Sequence, residues 1–226
     1  MTEPVSGRTP LLILLIRLFW AAVLVLPTFD AQAAIFFTTL HSFQVATNGA
    51  NPEAGLVQGS DGNFYGTTSA GGAYGYGTVF EITTNGALAI LHSFTNGTDG
   101  VGPVAGLVQG KDGNFYGTTS AGGVDGDGTV FEITASGVLT GLHSFTGGED
   151  GSQPMAGLVQ GSDGNFYGTT SAGDAYGYGN VFKLTTNGAL TTLHSFTNGT
   201  DGASPVAGLV QDSNGNFYGT TVRRRK

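Results

Sequence analysis

Residues 56–68 read Leu-Val-Gln-Gly-Ser-Asp-Gly-Asn-Phe-Tyr-Gly-Thr-Thr, and this stretch decides the fold because it recurs. It returns at Leu107 with Lys111 in place of the serine, at Leu158 unchanged and at Leu209 with two substitutions, each copy starting 51 residues after the last. Periods of roughly 20 to 50 residues are typical of stacked units that bury their apolar faces against neighbouring units. A tandem-repeat domain is therefore expected over residues 35–221.

Each unit contains four short runs that suit β-strands, separated by turns that contain glycine. In the unit that starts at residue 54, the predicted strands are 54–59, 63–68, 78–83 and 87–94. Asp61-Gly62 and Asn85-Gly86 predict tight hairpin turns with positive φ, and the glycine-rich segment 69–77 predicts a loop. Four strands in about 50 residues match one blade of a β-propeller.

The predicted fold class is all-β, a propeller-like array of four-stranded antiparallel blades of about 51 residues each. Three complete blades are expected, with partial units at both ends: residue 35 starts the last strand of one unit, and residue 221 follows the first two strands of another. Either a four-bladed ring closes imperfectly or the chain is a piece of a longer array. Unpaired strand edges predict self-association.

The fourth strand carries apolar groups on both faces, as in a sheet covered by a neighbour on each side. Strict alternation predicts that Leu190, Thr192, His194 and Phe196 share one face, with Leu193 on the other.

Residues 1–33 have the organisation of a secretory signal peptide. The 16 residues 11–26 are apolar except for Arg17, and Ala31-Gln32-Ala33 has the small-x-small form that signal peptidase recognises. A membrane anchor is the alternative, but a span needs about 20 apolar residues. We therefore expect cleavage after Ala33 or Ala34 and a secreted or cell-surface protein without a membrane span.

The chain is acidic, with 16 aspartates and glutamates against 8 lysines and arginines. Removal of residues 1–33 leaves the formal net charge at −8, and four of the remaining basic residues lie at 223–226. Such a charge repels a phosphate backbone, so no nucleic-acid partner is expected. The chain has no cysteine, so packing between repeats must replace disulfides.

The motif at residues 56–68, followed by Ser-Ala-Gly-Gly at 69–72 and Gly-Thr-Val-Phe-Glu-Ile at 77–82, resembles the GloVer (Gloeobacter/Verrucomicrobia) tandem repeat family of exported bacterial proteins. The likeness covers nearly all of residues 35–221. It implies a propeller-like fold and a secreted or cell-surface location, often with a C-terminal sorting anchor. This chain departs from that pattern, because residues 222–226 form a short basic tail. The resemblance implies no established activity and no catalytic residues.

Four histidines keep the repeat spacing: His41, His92, His143 and His194. Equivalent positions on successive blades point outward from an axis, whereas zinc holds its nitrogen ligands at about 2 Å. The histidines are therefore not expected to share a metal ion. We expect each to pack beside the phenylalanine two residues later and to form a local hydrogen bond.

The glycine-rich loops carry the candidate binding residues Tyr74, Tyr76, Tyr176 and Tyr178. A tyrosine ring has an apolar face and a polar tip, which suits stacking on a sugar or a peptide. The alternative is that these rings pack across adjacent loops.

Asp125 and Asp127 occupy the corresponding positions in the second full unit and form a weak candidate metal site. Calcium needs six to eight oxygen ligands, and the Asp-x-Asp-x-Asp spacing is absent, so a solvated loop is the favoured interpretation.

Catalysis requires one site where dissimilar groups meet, but here the polar residues are copied from unit to unit. We therefore predict no catalytic residues and no cofactor. The predicted function is an exported, non-catalytic repeat protein whose loops present a binding or adhesive surface for an extracellular glycan or protein. The alternatives are a propeller-type lyase or glycosidase and a truncated fragment of a longer repeat protein.

Overall fold

The computed structural model describes residues 38–44 and 47–222. The predicted signal peptide and residues 223–226 of the predicted basic tail lie outside these residues. Among the described residues there is no helix of sufficient length and hydropathy to cross a membrane. All of the β-strands belong to one unit, Thr39–Lys226.

Fourteen strands form four antiparallel sheets in the described part of the chain. The first blade contains β1 (Val57–Gln58), β2 (Phe64–Thr68), β3 (Thr78–Ile82) and β4 (Leu88–Ser93). The second contains β5 (Val108–Gln109), β6 (Phe115–Thr119), β7 (Thr129–Ile133) and β8 (Leu139–Ser144). The third contains β9 (Val159–Gln160), β10 (Phe166–Thr170), β11 (Asn180–Leu184) and β12 (Leu190–Ser195), and a partial blade contains β13 (Val210–Gln211) and β14 (Phe217–Tyr218).

Within each blade the strands are hydrogen-bonded in chain order, so the predicted propeller-like array of three complete four-stranded blades is confirmed. The first strand of each blade is shorter than predicted, only two residues long, because its earlier residues form no ladder. The partial unit at the C-terminal end has the two predicted strands. Within the described residues the four sheets do not close into a ring.

The expected strand at the N-terminal end is absent from residues 38–44. This segment nevertheless packs against the first blade as a fourth strand would. Phe43 lies edge-on to Phe80 with ring centres 4.9 Å apart, and Phe94 contacts Phe131 of the next blade in the same way at 5.4 Å. The predicted partial unit is therefore visible in the packing of residues 38–44, although these described residues form no strand ladder.

The two predicted tight hairpin turns of the first blade are present, at residues 59–63 and 83–87. Gly62 N donates to Gly59 O at 2.9 Å, and Gly59 N donates to Asn63 O at 2.8 Å. Among residues 59–63, only Gly62 has a positive φ, at 88°. This geometry is a type I turn followed by a left-handed glycine, so the aspartate of the Asp-Gly pair keeps an ordinary conformation.

Each fourth strand contains a β-bulge that the alternation rule did not predict. In the third blade Thr192 pairs with Phe182, whereas His194 pairs with Val181, and Leu193 is the extra residue. Phe182 and Val181 face opposite sides of the sheet, so Thr192 and His194 do too. The predicted common face of these two residues is therefore wrong, and the histidine faces the next blade.

The hydrophobic core lies between consecutive blades. Tyr65 of the first blade stacks on Phe115 of the second with ring centres 4.0 Å apart, and the pairs Tyr116–Phe166 and Tyr167–Phe217 repeat this contact at the same distance. One buried cluster joins the first two blades, and it contains Tyr65, Val79, Phe94, Leu107, Phe115, Phe131 and Ile133. An equivalent cluster joins the second and third, and it contains Tyr116, Val130, Phe145, Leu158, Phe166, Phe182 and Leu184.

The repeated Ser-Asp-Gly-Asn-Phe-Tyr motif supplies both the turn and the stack. Asp61 Oδ1 accepts the backbone N–H of Asn63 at 3.1 Å, and Asp61 Oδ2 accepts the hydroxyl of Tyr65 at 2.7 Å. Burial, followed by this hydrogen bond, raises the pKa of Tyr65 well above its usual value. The aspartate thus satisfies the hydroxyl of a ring whose body is buried between two blades.

Candidate functional site

The candidate loop tyrosines differ in exposure. Tyr74 and Tyr176 are each 60% exposed, Tyr76 is 37% exposed, and Tyr178 is partly buried. Among the described residues no aromatic ring stacks on any of these four rings. The first tyrosine of each pair therefore presents its ring to solvent. Their role in binding remains a prediction.

The backbone of these loops is held by hydrogen bonds on both sides. In the first blade Gly71 N donates to Gly75 O at 3.2 Å, and Gly77 N donates to Gly71 O at 3.0 Å. Tyr76 O accepts Gly102 N from the segment that leads into the next blade, at 3.0 Å. Tyr74 thus projects from a loop whose base is tied into two blades.

The third blade fixes the same loop by a different device. Asp174 has a left-handed backbone with φ 74°, and its Oδ1 accepts Tyr176 N at 2.7 Å and Gly177 N at 2.8 Å. A side chain that bonds backbone N–H groups two and three residues ahead pre-organises a turn. Tyr176 therefore starts from an ordered backbone, which reduces the entropy lost on binding.

Asp125 and Asp127 take the places of the tyrosines in the second blade. Asp125 is exposed and Asp127 is partly buried. The backbone oxygen of Asp127 accepts Gln153 N at 2.9 Å, the same link that Tyr76 makes in the first blade. Within the described residues no group of three or more potential ligands surrounds a point where a metal ion could sit.

The histidines behave as the sequence predicted. His92 lies edge-on to Phe94 with ring centres 5.0 Å apart, and the other three histidines make the same contact with the phenylalanine two residues later. His92 Nε2 lies 3.0 Å from Asp99 Oδ2. The pairs His143–Asp150 and His194–Asp201 are equivalent, at 3.0 and 3.2 Å, and Asn48 replaces the aspartate opposite His41.

The aspartate of each pair closes the loop after the fourth strand. Asp99 Oδ2 accepts His92 and Thr95 N, while Asp99 Oδ1 accepts Thr95 Oγ1 at 2.7 Å and Gly97 N at 3.2 Å. Burial would raise the pKa of Asp99, but the hydrogen bonds from Thr95 and His92 outweigh it and hold that pKa below its ordinary 3.8. Asp99 is therefore ionised at neutral pH, and four donors surround its two oxygens.

Sequence reasoning missed these aspartates, although the signal was present. Each histidine of the three complete blades is followed by an aspartate seven residues later. A spacing of seven residues corresponds to no regular contact along a strand, so it does not by itself indicate a pair. It is the bulge and the turn after the strand that bring the two side chains together.

The His–Asp pairs border open grooves between consecutive blades. The groove between the first two blades has a volume of about 620 Å³, and it is lined by His92, Thr98, Asp99, Val124, Leu139, Gly141, Leu142, His143 and Ser144. The groove between the second and third has about 360 Å³, and it is lined by Glu149, Asp150, Ala175, Leu190, Thr192 and Ser195. Val124 and Ala175 immediately precede Asp125 and Tyr176, the candidate residues of their loops. The loops and the grooves therefore adjoin.

Comparison with known proteins identifies a family. The family described as Gloeobacter/Verrucomicrobia repeat matches residues 28–226. No curated protein matches the chain.

Several solved structures are similar to it at low sequence identity. One is a proposed gluconolactonase, with 15% identity and a TM-score of 0.48, covering 74% of this chain and 56% of the other. A second is the PQQ-bound aldose sugar dehydrogenase of Streptomyces coelicolor, with 13% identity and a TM-score of 0.45, covering 79% and 58%. A third is a proposed 6-phosphogluconolactonase from Bacteroides uniformis, with 17% identity and a TM-score of 0.46, covering 74% and 49%. The chain thus spans about half the length of these structures.

Proposed function

The chain belongs to the Gloeobacter/Verrucomicrobia repeat family, and from that premise we propose that it is an exported, non-catalytic binding protein. Its blade loops present a binding or adhesive surface at the bacterial cell envelope. The partner is an extracellular glycan or protein. Export rests on the sequence of residues 1–33, which has the charge, apolar stretch and small-residue ending of a cleaved signal.

The observation that carries this proposal is the exposure of Tyr74 and Tyr176 on ordered loops. A ring that is 60% exposed leaves apolar area in water, and burying it against a ligand is favourable by about 25 cal/mol per Å². Tyrosine loses little conformational entropy on binding, and the hydrogen-bonded loop backbone loses little more. An exposed tyrosine ring and an ordered loop backbone are both features of antibody binding surfaces.

The charge of the chain limits the class of partner that it can bind. The body between residues 34 and 222 carries only Lys111 and Lys183 as basic side chains. It therefore repels polyanions, and a neutral glycan or a basic protein surface fits better.

A glycan array probed with the purified protein tests the function. The expected result is binding that the double variant Tyr74→Ala/Tyr176→Ala loses by at least tenfold. Val138→Ala is the matched control, because Val138 is exposed to a similar extent but lies in a turn away from these loops. Turnover of a polysaccharide in the same assay would contradict a non-catalytic role and favour a lyase or glycosidase.

Fractionation of cells that express the full chain tests export. The protein should be recovered outside the cytoplasm with an N-terminus at Ala34 or Ile35. Retention of residues 1–33 in the cytoplasmic fraction would refute export.

A further inference from the structure

The two grooves between complete blades are equivalent in position but unequal in size. Their linings correspond at a spacing of 51 residues: Asp99 to Asp150, Val124 to Ala175, and Leu139 to Leu190. The first groove is nevertheless larger, at about 620 Å³ against 360 Å³. The loop position does not explain this difference, because valine is larger than alanine and would narrow the first groove.

Two corresponding positions carry a smaller residue in the first groove: Thr98 corresponds to Glu149, and Gly141 on the fourth strand corresponds to Thr192. In the third blade Thr192 reaches across the groove, and its Oγ1 donates to Glu149 O of the second blade at 3.0 Å. The corresponding residue in the second blade is Gly141, and a β-carbon placed there would meet no atom within 4 Å. The first groove therefore lacks the side chain that bridges the second, and open space stands in its place.

The lining of the first groove combines apolar and hydrogen-bonding groups. Leu139, Leu142 and Val124 supply apolar surface, while Thr98, His92 and Ser144 supply hydroxyl and imidazole groups. Cavities of about 300 to 1,000 Å³ with a few polar groups on an apolar wall are typical of small-molecule sites. A ligand that matches this lining has an apolar face and several hydroxyl groups.

The charged groups of the lining disfavour both cationic and anionic ligands. Asp99 is the acidic residue of the lining, and four protein donors already surround its two oxygens, so it offers little to a cation. No lysine or arginine belongs to the lining, so an anion would find no counter-charge. A neutral ligand remains.

We propose that the groove between the first and second blades binds one ring of a neutral saccharide. The ring packs against Leu139 and Leu142, and its hydroxyl groups bond to the Thr98 hydroxyl and the His92 imidazole. Gly141 provides the space. This site is separate from the loop tyrosines, which do not belong to its lining.

Titration of the ¹⁵N-labelled protein with methyl β-glucopyranoside, methyl β-galactopyranoside and methyl α-mannopyranoside tests the proposal. At least one should shift the amide signals of residues that line the groove. Glucosamine and glucuronate are the charged probes, and each should bind at least tenfold more weakly than the best neutral glycoside. Absence of groove shifts with all three glycosides, or preference for a charged probe, would overturn the proposal.

A pair of reciprocal variants ties the binding to Gly141. Gly141→Thr installs the residue that the next blade already carries, so the fold should persist, and glycoside affinity should fall at least tenfold. Glu149→Thr/Thr192→Gly gives the second groove the residues of the first at both positions, and it should add glycoside-dependent shifts at the lining of that groove. Unchanged binding in Gly141→Thr, or no new shifts in Glu149→Thr/Thr192→Gly, would show that the glycine does not create the site.

The loop variant Tyr74→Ala/Tyr176→Ala separates this site from the proposed binding surface. It should leave the groove shifts unchanged even where it abolishes glycan-array binding. Loss of the groove shifts in this variant would refute an independent site.

Discussion

Truncation of Phe166 to alanine should destabilise the protein by about 3–5 kcal/mol. Phe166 is fully buried between the second and third blades, where it stacks on Tyr116 with ring centres 4.0 Å apart. Loss of a buried phenylalanine ring removes its transfer free energy and leaves a cavity, which together cost about 3–5 kcal/mol. A domain of ordinary stability has about 5–15 kcal/mol in all, so this single change removes a large part of it.

Phe217→Ala is the matched control. Phe217 makes the same stack on Tyr167, also at 4.0 Å, but it lies in the two-stranded partial blade and is only partly buried. Less area is removed from water, and the surroundings can collapse more easily, so the expected loss is under about 2 kcal/mol. The comparison holds the side chain and its aromatic partner constant and changes only the burial.

Urea unfolding followed by far-ultraviolet circular dichroism measures both variants. The midpoint should fall further for Phe166→Ala than for Phe217→Ala, with the dependence on urea concentration unchanged in each. Equal losses in the two variants, or a loss below about 1 kcal/mol for Phe166→Ala, would refute the conclusion that the core lies between complete blades.

Three further predictions concern single positions. Asn180→Thr should stabilise the protein by about 1–3 kcal/mol in urea unfolding, because the buried side-chain amide of Asn180 has no hydrogen-bond partner among the described residues. Threonine at the same place in the other two blades bonds to a neighbouring hydroxyl group. A destabilised variant would contradict this prediction. Gly137→Ala should lower the free energy of unfolding clearly more than Gly113→Ala. Both glycines have positive φ, which costs alanine about 1 kcal/mol, but a β-carbon at Gly137 would lie 2.7 Å from Leu91 O of the preceding blade, whereas one at Gly113 would meet no atom within 4 Å. Equal unfolding midpoints would refute a close approach of the blades. The folded-state pKa of Asp99 is lowered, so its ionised carboxylate should add stability at pH values above 3.8. This stability should be lost as the pH falls through the lower pKa of the folded state. A carboxyl ¹³C titration midpoint at or above 3.8 would contradict the prediction.

The blade architecture was predictable because it depends on short-range patterns that are copied four times. The Asp61-Gly62 and Asn85-Gly86 turns lie where they were predicted, and the second and third strands of the first blade match their predicted bounds to within one residue. Turn chemistry and strand composition act within a few residues, so the sequence displays them directly.

The features that were missed depend on contacts between strands. The bulge at Leu193 adds one residue to a strand whose side chains otherwise alternate, and nothing in the composition of the strand signals it. The His92–Asp99 pair depends on the equivalent bulge at Leu91 of the first blade, because that bulge turns the histidine towards the next blade. A period-of-two rule applied to a bulged strand puts every later side chain on the wrong face.

The candidate site was predictable only in part, since its size depends on a neighbouring blade. The loop tyrosines stand out in the sequence by their regular positions, and the structure exposes Tyr74 and Tyr176. Gly141 carries no such signal, because a glycine in a strand is conspicuous only when the groove it opens is known.

The buried Asn180 aside, the loop and groove differences between the repeats fall where the fold tolerates them. The aromatic positions that stack between blades are identical in every unit, and a change there costs several kcal/mol. The position of Gly141 and Thr192, and that of Tyr74, Asp125 and Tyr176, lie at the open edge of the blades. Substitution there costs little stability, since surface changes are usually within about 0.5 kcal/mol. A repeat array can therefore keep one interior while each groove and each loop acquires its own chemistry, and for this reason both proposed binding sites rest on differences between units more than on the shared motif.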